Sequence, residues 1–404
     1  MNIFKKLYSR TYQFVFKCAL PILPYREPKL LSDYNNIVEV LNKNNFSSAL
    51  LVTDKGIYGL GLTKKLEETL KENNIKVAVY SNTVANPTTD NVDEALEMYK
   101  TNACSCLIAF GGGSAMDCAK GVGARLANPK KTLGQMKGVL KVHKKIPLLI
   151  AIPTTAGTGS ETTLAAVITD SKTRHKYAIN DFPLIPSYAV LMPELTTGLP
   201  KMVTATTGMD ALTHAVEAYI GRSTTKKTRE CALYAVKTIF ENIKLVYDDG
   251  SNLKARENML KAAYYAGVAF TKSYVGYIHA IAHSLGGKYN IPHGLANAVI
   301  MPYVLKAYGK KVYKKLWKLG LCANLYEKDT SIEKGAKIFI SEIEKLNEYM
   351  SIPTSINDIK EEDIETLAKT AEKEGNPLYP VPVMFTAKQL EVIYHQVKDG
   401  VKSL

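Results

Sequence analysis

The sequence predicts an α/β amino-terminal domain on a parallel, Rossmann-like sheet, followed by an all-α helical carboxyl-terminal domain. Three observations carry this prediction. Short apolar runs alternate with helical stretches from residue 46 to about 195, and long segments of helical periodicity follow beyond about 200. Pro193 and Leu199-Pro200 punctuate the change. A chain of 404 residues also exceeds what one core ordinarily serves. The boundaries read as an extension over 1–45, an α/β domain over 46–195 and a helical domain over 196–404.

In chain order, Lys5, Lys6 and Arg10 precede a short apolar stretch, as in a secretory signal, but Lys17 interrupts it and Pro21 and Pro24 follow without a small-residue cleavage site. Phe4, Leu7, Tyr8, Tyr12, Val15 and Phe16 recur at helical spacing, so the segment reads as an amphipathic helix. It is expected to pack on the body or on a neighbouring subunit; contact with an anionic membrane surface is the less favoured alternative. Ser48–Asp54 reads as a buried strand and Leu60 to Glu72 as a helix. Lys76–Tyr80 is a strand, Val92 to Lys100 a helix, Cys104 to Phe110 a strand and Ser114 to Leu126 a helix. Leu148–Ile152 and Ala165–Thr169 complete the strands. Helices are then expected over 203–220, 226–247, 253–270, 278–288, 295–308, 331–348 and 386–398.

Apolar residues make up 46% and charged residues 22%, which excludes a disordered chain. The net charge of +14 favours anionic partners, yet the lysine pairs at 130–131, 144–145, 226–227 and 310–311 lie in separate segments. A solvated surface is expected, with no nucleic-acid partner. The six cysteines form no CxxC pair and read as reduced thiols of a cytoplasmic protein; Cys104 and Cys106 are expected on one face of a strand. No apolar run reaches the length that spans a bilayer.

Two loops carry the first chemistry. Gly111, Gly112, Gly113 and Ser114 follow a strand and open a helix, so backbone N–H groups can face a pyrophosphate without Cβ clashes. Asp54 ends another strand, where a carboxylate can accept the hydroxyls of an adenosine ribose. In the ordinary Rossmann fingerprint the acid follows the glycines by about 20 residues; here it precedes them, so the sheet must be wired differently. Pro153-Thr-Thr-Ala-Gly-Thr-Gly-Ser-Glu161, also after a strand, suits phosphate or nicotinamide contacts or is a surface turn.

The second chemistry lies in the helical half. Asp210 and His214 stand at i and i+4, and so do His279 and His283. His293 follows in Pro292-His-Gly294, expected as a turn in which glycine frees the backbone. Asp210, His214, His279 and His293 offer one carboxylate and three imidazoles, a set that suits a divalent transition ion with a position left for substrate. His283 exceeds the four and is expected to serve the pocket without coordinating.

Together these motifs resemble the iron-containing (group III) alcohol dehydrogenase family. Gly111 to Lys120 matches GGGSxxDxAK, Pro153 to Glu161 matches PTTAGTGSE, Gly208 to Glu217 matches GMDALTHAxE, and His279 to Gly294 matches HxxxHxxGGxxxxPHG. The resemblance covers about residues 46–400 and implies the dehydroquinate synthase-like fold, an NAD(H)-binding first domain and a metal-binding catalytic second one. It implies Asp210, His214, His279 and His293 as ligands of one divalent ion, Fe2+ ahead of Zn2+. It places Asn86, Gly112, Gly113, Ser114, Thr154, Thr155 and Lys176 at the cofactor, and Asp54 as the acid that favours NAD by repelling a 2′-phosphate. A homodimer is implied as well. Two departures stand out: Met192-Pro193 replaces the family's usual Asp-Pro, and Lys29 to Leu41 replaces its amino-terminal strand only in part.

The implied reaction passes hydride between a small alcohol or aldehyde and nicotinamide, with the ion as Lewis acid and His283 moving the proton. The competing readings are an NAD-using, metal-dependent lyase of the dehydroquinate synthase type and a non-catalytic membrane-peripheral protein on the same fold. The first would need clustered basic residues near Asp210, and the second would have no need of intact ligand and glycine motifs.

Overall fold

The computed structural model describes residues 3–20 and 22–400. Helix α1 (Ile3–Ala19) is followed by β1 (Lys29–Leu31), α2 (Tyr34–Lys43), β2 (Ser48–Asp54), α3 (Lys55–Gly59), α4 (Lys64–Glu72), β3 (Lys76–Thr83), α5 (Thr89–Thr101), β4 (Cys106–Gly111) and α6 (Gly113–Ala127). Then come β5 (Gly138–Val139), β6 (Leu149–Pro153), β7 (Ala165–Thr169), β8 (Lys176–Asn180) and β9 (Tyr188–Val190). The rest is helical: α7 (Lys201–Ile220), α8 (Lys226–Asp248), α9 (Leu253–Ser273), α10 (Tyr277–Tyr289), α11 (His293–Tyr308), α12 (Tyr313–Cys322), α13 (Ile332–Tyr349), α14 (Ile364–Gly375) and α15 (Ala387–Asp399). One compact unit is Pro24–Thr197; the other runs from Gly198 onward and takes in α1.

In the first unit six parallel strands lie in the order β1-β9-β6-β4-β2-β3. The apolar runs of the central strands β2, β4 and β6 are nearly unbroken because both faces are covered. Alternate residues of β2 and β4 point to opposite sides: Leu50, Val52, Leu107 and Ala109 pack with α5 and α6, whereas Ala49, Leu51, Ile108 and Phe110 pack with α2 and α4. A small sheet, β5-β8-β7, adds to the first of these cores.

This strand order accounts for the acid that precedes its glycines. The chain leaves β2 toward β3 on one side and returns to β4 on the other, so the loops after β2 and β4 part at a topological switch point. Val52 pairs with Ala109, which brings Asp54 beside Gly111 although they are far apart in sequence.

The second unit is built around α7 and α11. Residues 208–220 of α7 are buried all round, as are Ala296–Leu305 of α11, the pattern of helices at the centre of a bundle. Gly208 is needed there: a Cβ would come within 2.8 Å of Ile243 Cδ1.

Several expectations change. The helix expected from Leu60 starts only at Lys64, as α4, and an unexpected short helix, α3, precedes it, capped by Asp54, which accepts the Ile57 N–H. Cys104 lies before β4 rather than in it, though both it and Cys106 are buried. Helices α12 and α14 were not expected. Residues 1–45 do not stand apart as one extension, since β1 pairs with β9 while α1 joins the helical unit.

The largest change concerns α1, which docks by its polar side. Ser9 and Gln13 are buried; Arg10 donates to the carbonyls of Val381 and Pro382, and Gln13 Nε2 to those of Pro377 and Tyr379. Phe16 packs edge-on against Tyr274. Leu7, Tyr8, Phe14 and Val15 face outward, each more than 60% exposed. All six cysteines are free thiols. No helix among the described residues is long and apolar enough to cross a membrane.

Candidate active site

Asp210, His214 and Glu217 follow one another at i, i+4 and i+7 along the buried α7, so all three share a face. His279 sits in the first turn of α10, and His293 is the first residue of α11. The expected turn at His293 is therefore a helix start. Gly294 serves close approach rather than backbone freedom: a Cβ there would lie 2.5 Å from the Thr206 carbonyl oxygen, so glycine lets α11 abut α7 and deliver His293.

One ligand atom from each of Asp210, His214, His279 and His293 lies within 4.8 Å of the other three. Asp210 Oδ1 is 3.5 Å from His293 Nε2 and 3.9 Å from His279 Nε2. Donors about 2.0–2.2 Å from a shared centre stand no farther apart than about twice that, so small side-chain shifts bring this set to coordination. The chemistry fits too, since one carboxylate and three imidazoles suit a divalent transition ion.

The surrounding residues hold the ligands. His279 Nδ1 donates to Glu217 Oε2 at 2.6 Å, which leaves Nε2 as the acceptor facing Asp210. Glu217 also accepts the N–H groups of Gly276 and Ile278 at 2.7 and 2.8 Å, and Gly276 must lack a Cβ to come so near. Burial pushes Glu217 up to about 8 against the pull of the backbone N–H groups of Gly276, Ile278 and His279. Burial, reinforced by the neighbouring histidines, holds His279 well below the usual imidazole range, and so in its neutral, ligating form. Phe270 stacks on His214 with ring centroids 4.0 Å apart. Asn297, wholly buried, donates Nδ2 to Asp210 Oδ1 at 2.7 Å and approaches His293 Nε2 and His279 Nε2 at 3.1 and 3.2 Å.

His283 lies outside the four-atom group. Its ring stacks on that of His293 at 5.2 Å, and its Nδ1 bonds Glu374 Oε1 at 2.6 Å. Tyr379 donates to the same carboxylate oxygen at 2.7 Å. Burial would raise Glu374, but His283 and Tyr379 outweigh it and keep the carboxyl below its ordinary range. His283 itself is 39% exposed.

The glycine loop is built from backbone. Gly111 ends β4 at φ +152°, and a Cβ would meet that of Ala115 at 2.9 Å; Gly112 caps α6 and Gly113 opens it. Thr154 N–H donates to the Gly111 carbonyl, and Thr155 lies against Gly112. Asp54 stands beside Gly111 but already accepts the Ile57 N–H through Oδ1. Asn86 (φ +57°) is tied to both remaining residues of the set, its N–H to Ser114 Oγ and its Oδ1 to Lys176 Nζ at 2.6 Å.

Under this loop lies a buried charged knot. Lys120 Nζ donates to the Ser160 carbonyl and hydroxyl, Thr163 Oγ1 and the Ala165 carbonyl, while Asp117 accepts the Ser160 hydroxyl and the Val167 N–H. These are the Asp and Lys of the first motif and the Ser of the second, so the two motifs are stitched together here. Burial lowers Lys120 to about 8 and raises Glu161 to about 7. Asp117, Lys120, Glu374, Tyr379 and Asn297 were not expected as site residues. Glu217, placed by its motif, had no assigned role.

Comparison with known proteins agrees along the chain. Residues 31–193 match the family model of the iron-containing alcohol dehydrogenases, and residues 204–397 match that of the C-terminal part of the Fe-containing alcohol dehydrogenase family. The chain is 37% identical to alcohol dehydrogenase 4 of Saccharomyces cerevisiae, over 88% of this chain and 92% of that one. It is also 37% identical to 1,3-propanediol dehydrogenase of Klebsiella pneumoniae, over 95% and 98%. Among solved structures, a 1,3-propanediol oxidoreductase superposes with a TM-score of 0.89 at 34% identity, covering 93% of this chain and 99% of that one. A sulfoacetaldehyde reductase from Bifidobacterium kashiwanohense, solved with NAD+, gives 0.81 at 27% over 93% and 98%.

Proposed function

The chain belongs to the iron-containing alcohol dehydrogenase family and is a metal- and NAD(H)-dependent alcohol dehydrogenase, and from that premise we propose how its residues divide the work. Asp210, His214, His279 and His293 hold one divalent ion, Fe2+ by family and Zn2+ by ligand chemistry. Asp54, Asn86, Gly111, Gly112, Gly113, Ser114, Thr154, Thr155 and Lys176 hold NAD(H). When bound, the ion lends Lewis acidity to the substrate oxygen and the nicotinamide exchanges hydride with its carbon.

The chain supplies orientation and proton transfer. Glu217 fixes the His279 tautomer, Asn297 donates to Asp210, and Phe270 backs His214. Glu374 anchors His283 through Nδ1, so Nε2 is the nitrogen that exchanges the substrate's proton with solvent. Short alcohols and aldehydes are the substrates, in keeping with the 1,3-propanediol relatives. A homodimer in the cytoplasm belongs to the same reading.

The mutual approach of the four ligand atoms within 4.8 Å carries this proposal. Its test is metal analysis of anaerobically purified protein together with NADH oxidation on acetaldehyde, lactaldehyde, glyceraldehyde and butyraldehyde. One ion per chain and steady NADH consumption are expected; a lyase would leave NADH unchanged. His283→Ala should lower kcat about 10²-fold and alter the pH profile while the metal content stays at one. Loss of the ion in that variant would make His283 a ligand and sink its proton role.

A further inference from the structure

Residues 377–382 lie between α14 and α15 without helix or strand, and they carry Tyr379, whose hydroxyl donates to the carboxylate that anchors His283. Pro377, Pro380 and Pro382 have no N–H, so the segment cannot fix itself by its own backbone bonds. Tyr379, Pro380 and Val381 are buried all the same, and buried carbonyls need donors. The donors come from elsewhere in the chain. Gln13 Nε2 reaches the carbonyls of Tyr379 and Pro377 at 2.7 and 3.3 Å, and Arg10 those of Val381 and Pro382 at 2.8 and 3.1 Å. The N–H of Arg222, just past α7, meets the Pro380 carbonyl at 2.7 Å. Helix α1 thus answers four of these five carbonyls.

A hydrogen-bonded path runs from α1 to the imidazole that moves the proton. Gln13 Nε2 holds the backbone of Tyr379, the Tyr379 hydroxyl donates to Glu374 Oε1 at 2.7 Å, and the same oxygen takes His283 Nδ1 at 2.6 Å. Arg10 Nη1 donates to Gln13 Oε1 at 2.8 Å, which turns the amide nitrogen toward the segment. Phe16 supplies a second hold: its ring meets Tyr274 edge-on, and Tyr274 lies 6.5 Å from the ring of Tyr379. A surface helix ordinarily docks by an apolar side. Burying Gln13 and half-burying Arg10 costs desolvation, and what the polar contacts give in return is one fixed arrangement of the segment.

We propose that Arg10 and Gln13 are positioning residues for the dehydrogenase reaction, acting through Tyr379 and Glu374 to aim His283. The inference rests on the proton role of His283. The experiment is a double-mutant cycle on the full-length enzyme, read by kcat and by KM for NADH in aldehyde reduction. Arg10→Met with Gln13→Leu should lower kcat about tenfold, since small misplacements of a reacting group are costly, with KM for NADH and metal content unchanged. Hydrogen–deuterium exchange over 374–386 should quicken in this pair. In the His283→Ala background the same pair should change kcat less than about twofold, because the group it aims is gone. A helix that merely stabilised the fold would cost the same factor in both backgrounds. Should the pair fail to fold, Tyr379→Phe breaks the path at one hydroxyl and should show the same loss, absorbed in the same way by His283→Ala. The proposal falls if a folded variant keeps wild-type kcat, if its loss multiplies that of His283→Ala, or if exchange over 374–386 does not change in the α1 pair. Wild-type kcat in His283→Ala alone overturns the proton role itself, and the proposal with it.

Discussion

The metal corner and the glycine loop solve the same problem, holding a ligand of fixed shape, with different materials. In the helical unit the work falls to side chains: Asp210, His214 and His279 are buried polar groups, His293 is half-buried, and Glu217, Asn297 and Phe270 hold this set in place. In the α/β unit it is done by backbone: the three glycines leave main-chain N–H groups bare at the start of α6, and the Lys120–Asp117 knot fixes the loop from beneath. A side-chain site fails when a donor is lost, and a backbone site fails when a Cβ is gained.

Paired substitutions test that contrast most severely. Asp210→Ala should abolish metal retention and lower activity by about 10³-fold or more, while NADH binding followed by fluorescence stays near wild type. Gly111→Val should do the reverse. At φ +152°, with a Cβ only 2.9 Å from Ala115, it must displace the loop, weakening NADH binding by about 10²-fold while the metal is kept. If either variant loses both ligands, the two sites are not independently built.

The knot beneath the loop supplies a pH test confined to the α/β unit. Burial raises the Glu161 carboxyl from its ordinary 4.5 to about 7 in the folded chain. Between these values the folded state holds a proton that the unfolded state has lost, so stability is full below about 4.5 and falls as pH rises through 7. The loss approaches about 3 kcal/mol, and Lys120, lowered only to about 8, stays charged in both states across that window. Glu161→Gln should remove this component, seen as a flatter dependence of melting temperature on pH between about 4.5 and 7.

The same contrast governs how much was legible in the sequence. The ligands could be read because helical spacing puts Asp210 with His214 on one face and His279 on another, and the glycines because a strand–glycine–helix junction has one main use. Partners joined across distant elements could not be read. Glu217 meets His279, Glu374 meets His283 and Asn297 meets Asp210 only once α7, α10, α11 and α14 have packed. Helix α14 was missed because its buried side relies on Ala368 and Ala371 beside Ile364 and Leu367, a weak apolar signal. The direction of α1 was illegible for a related reason. Periodicity reveals that a helix has two sides, but the carbonyls that claim Arg10 and Gln13 lie at the other end of the chain.

The smallest expected effect is the most specific to the side-chain site. Glu217 is not a ligand, yet it accepts the Nδ1–H of His279 and two backbone N–H groups at the start of α10. Glu217→Gln keeps the volume and one carbonyl acceptor but replaces the second oxygen with an NH2 that faces donors. The His279 tautomer is then no longer enforced, and the imidazole becomes a weaker, less well-aimed base. Metal affinity should fall about 10- to 100-fold, the usual consequence of losing a carboxylate behind a ligating histidine. Competition with a chelator measures this directly, without reference to turnover. NADH affinity should not move, because Glu217 belongs to a unit whose binding chemistry is side-chain chemistry, whereas the loop proposed to take the dinucleotide depends on an uncluttered main chain.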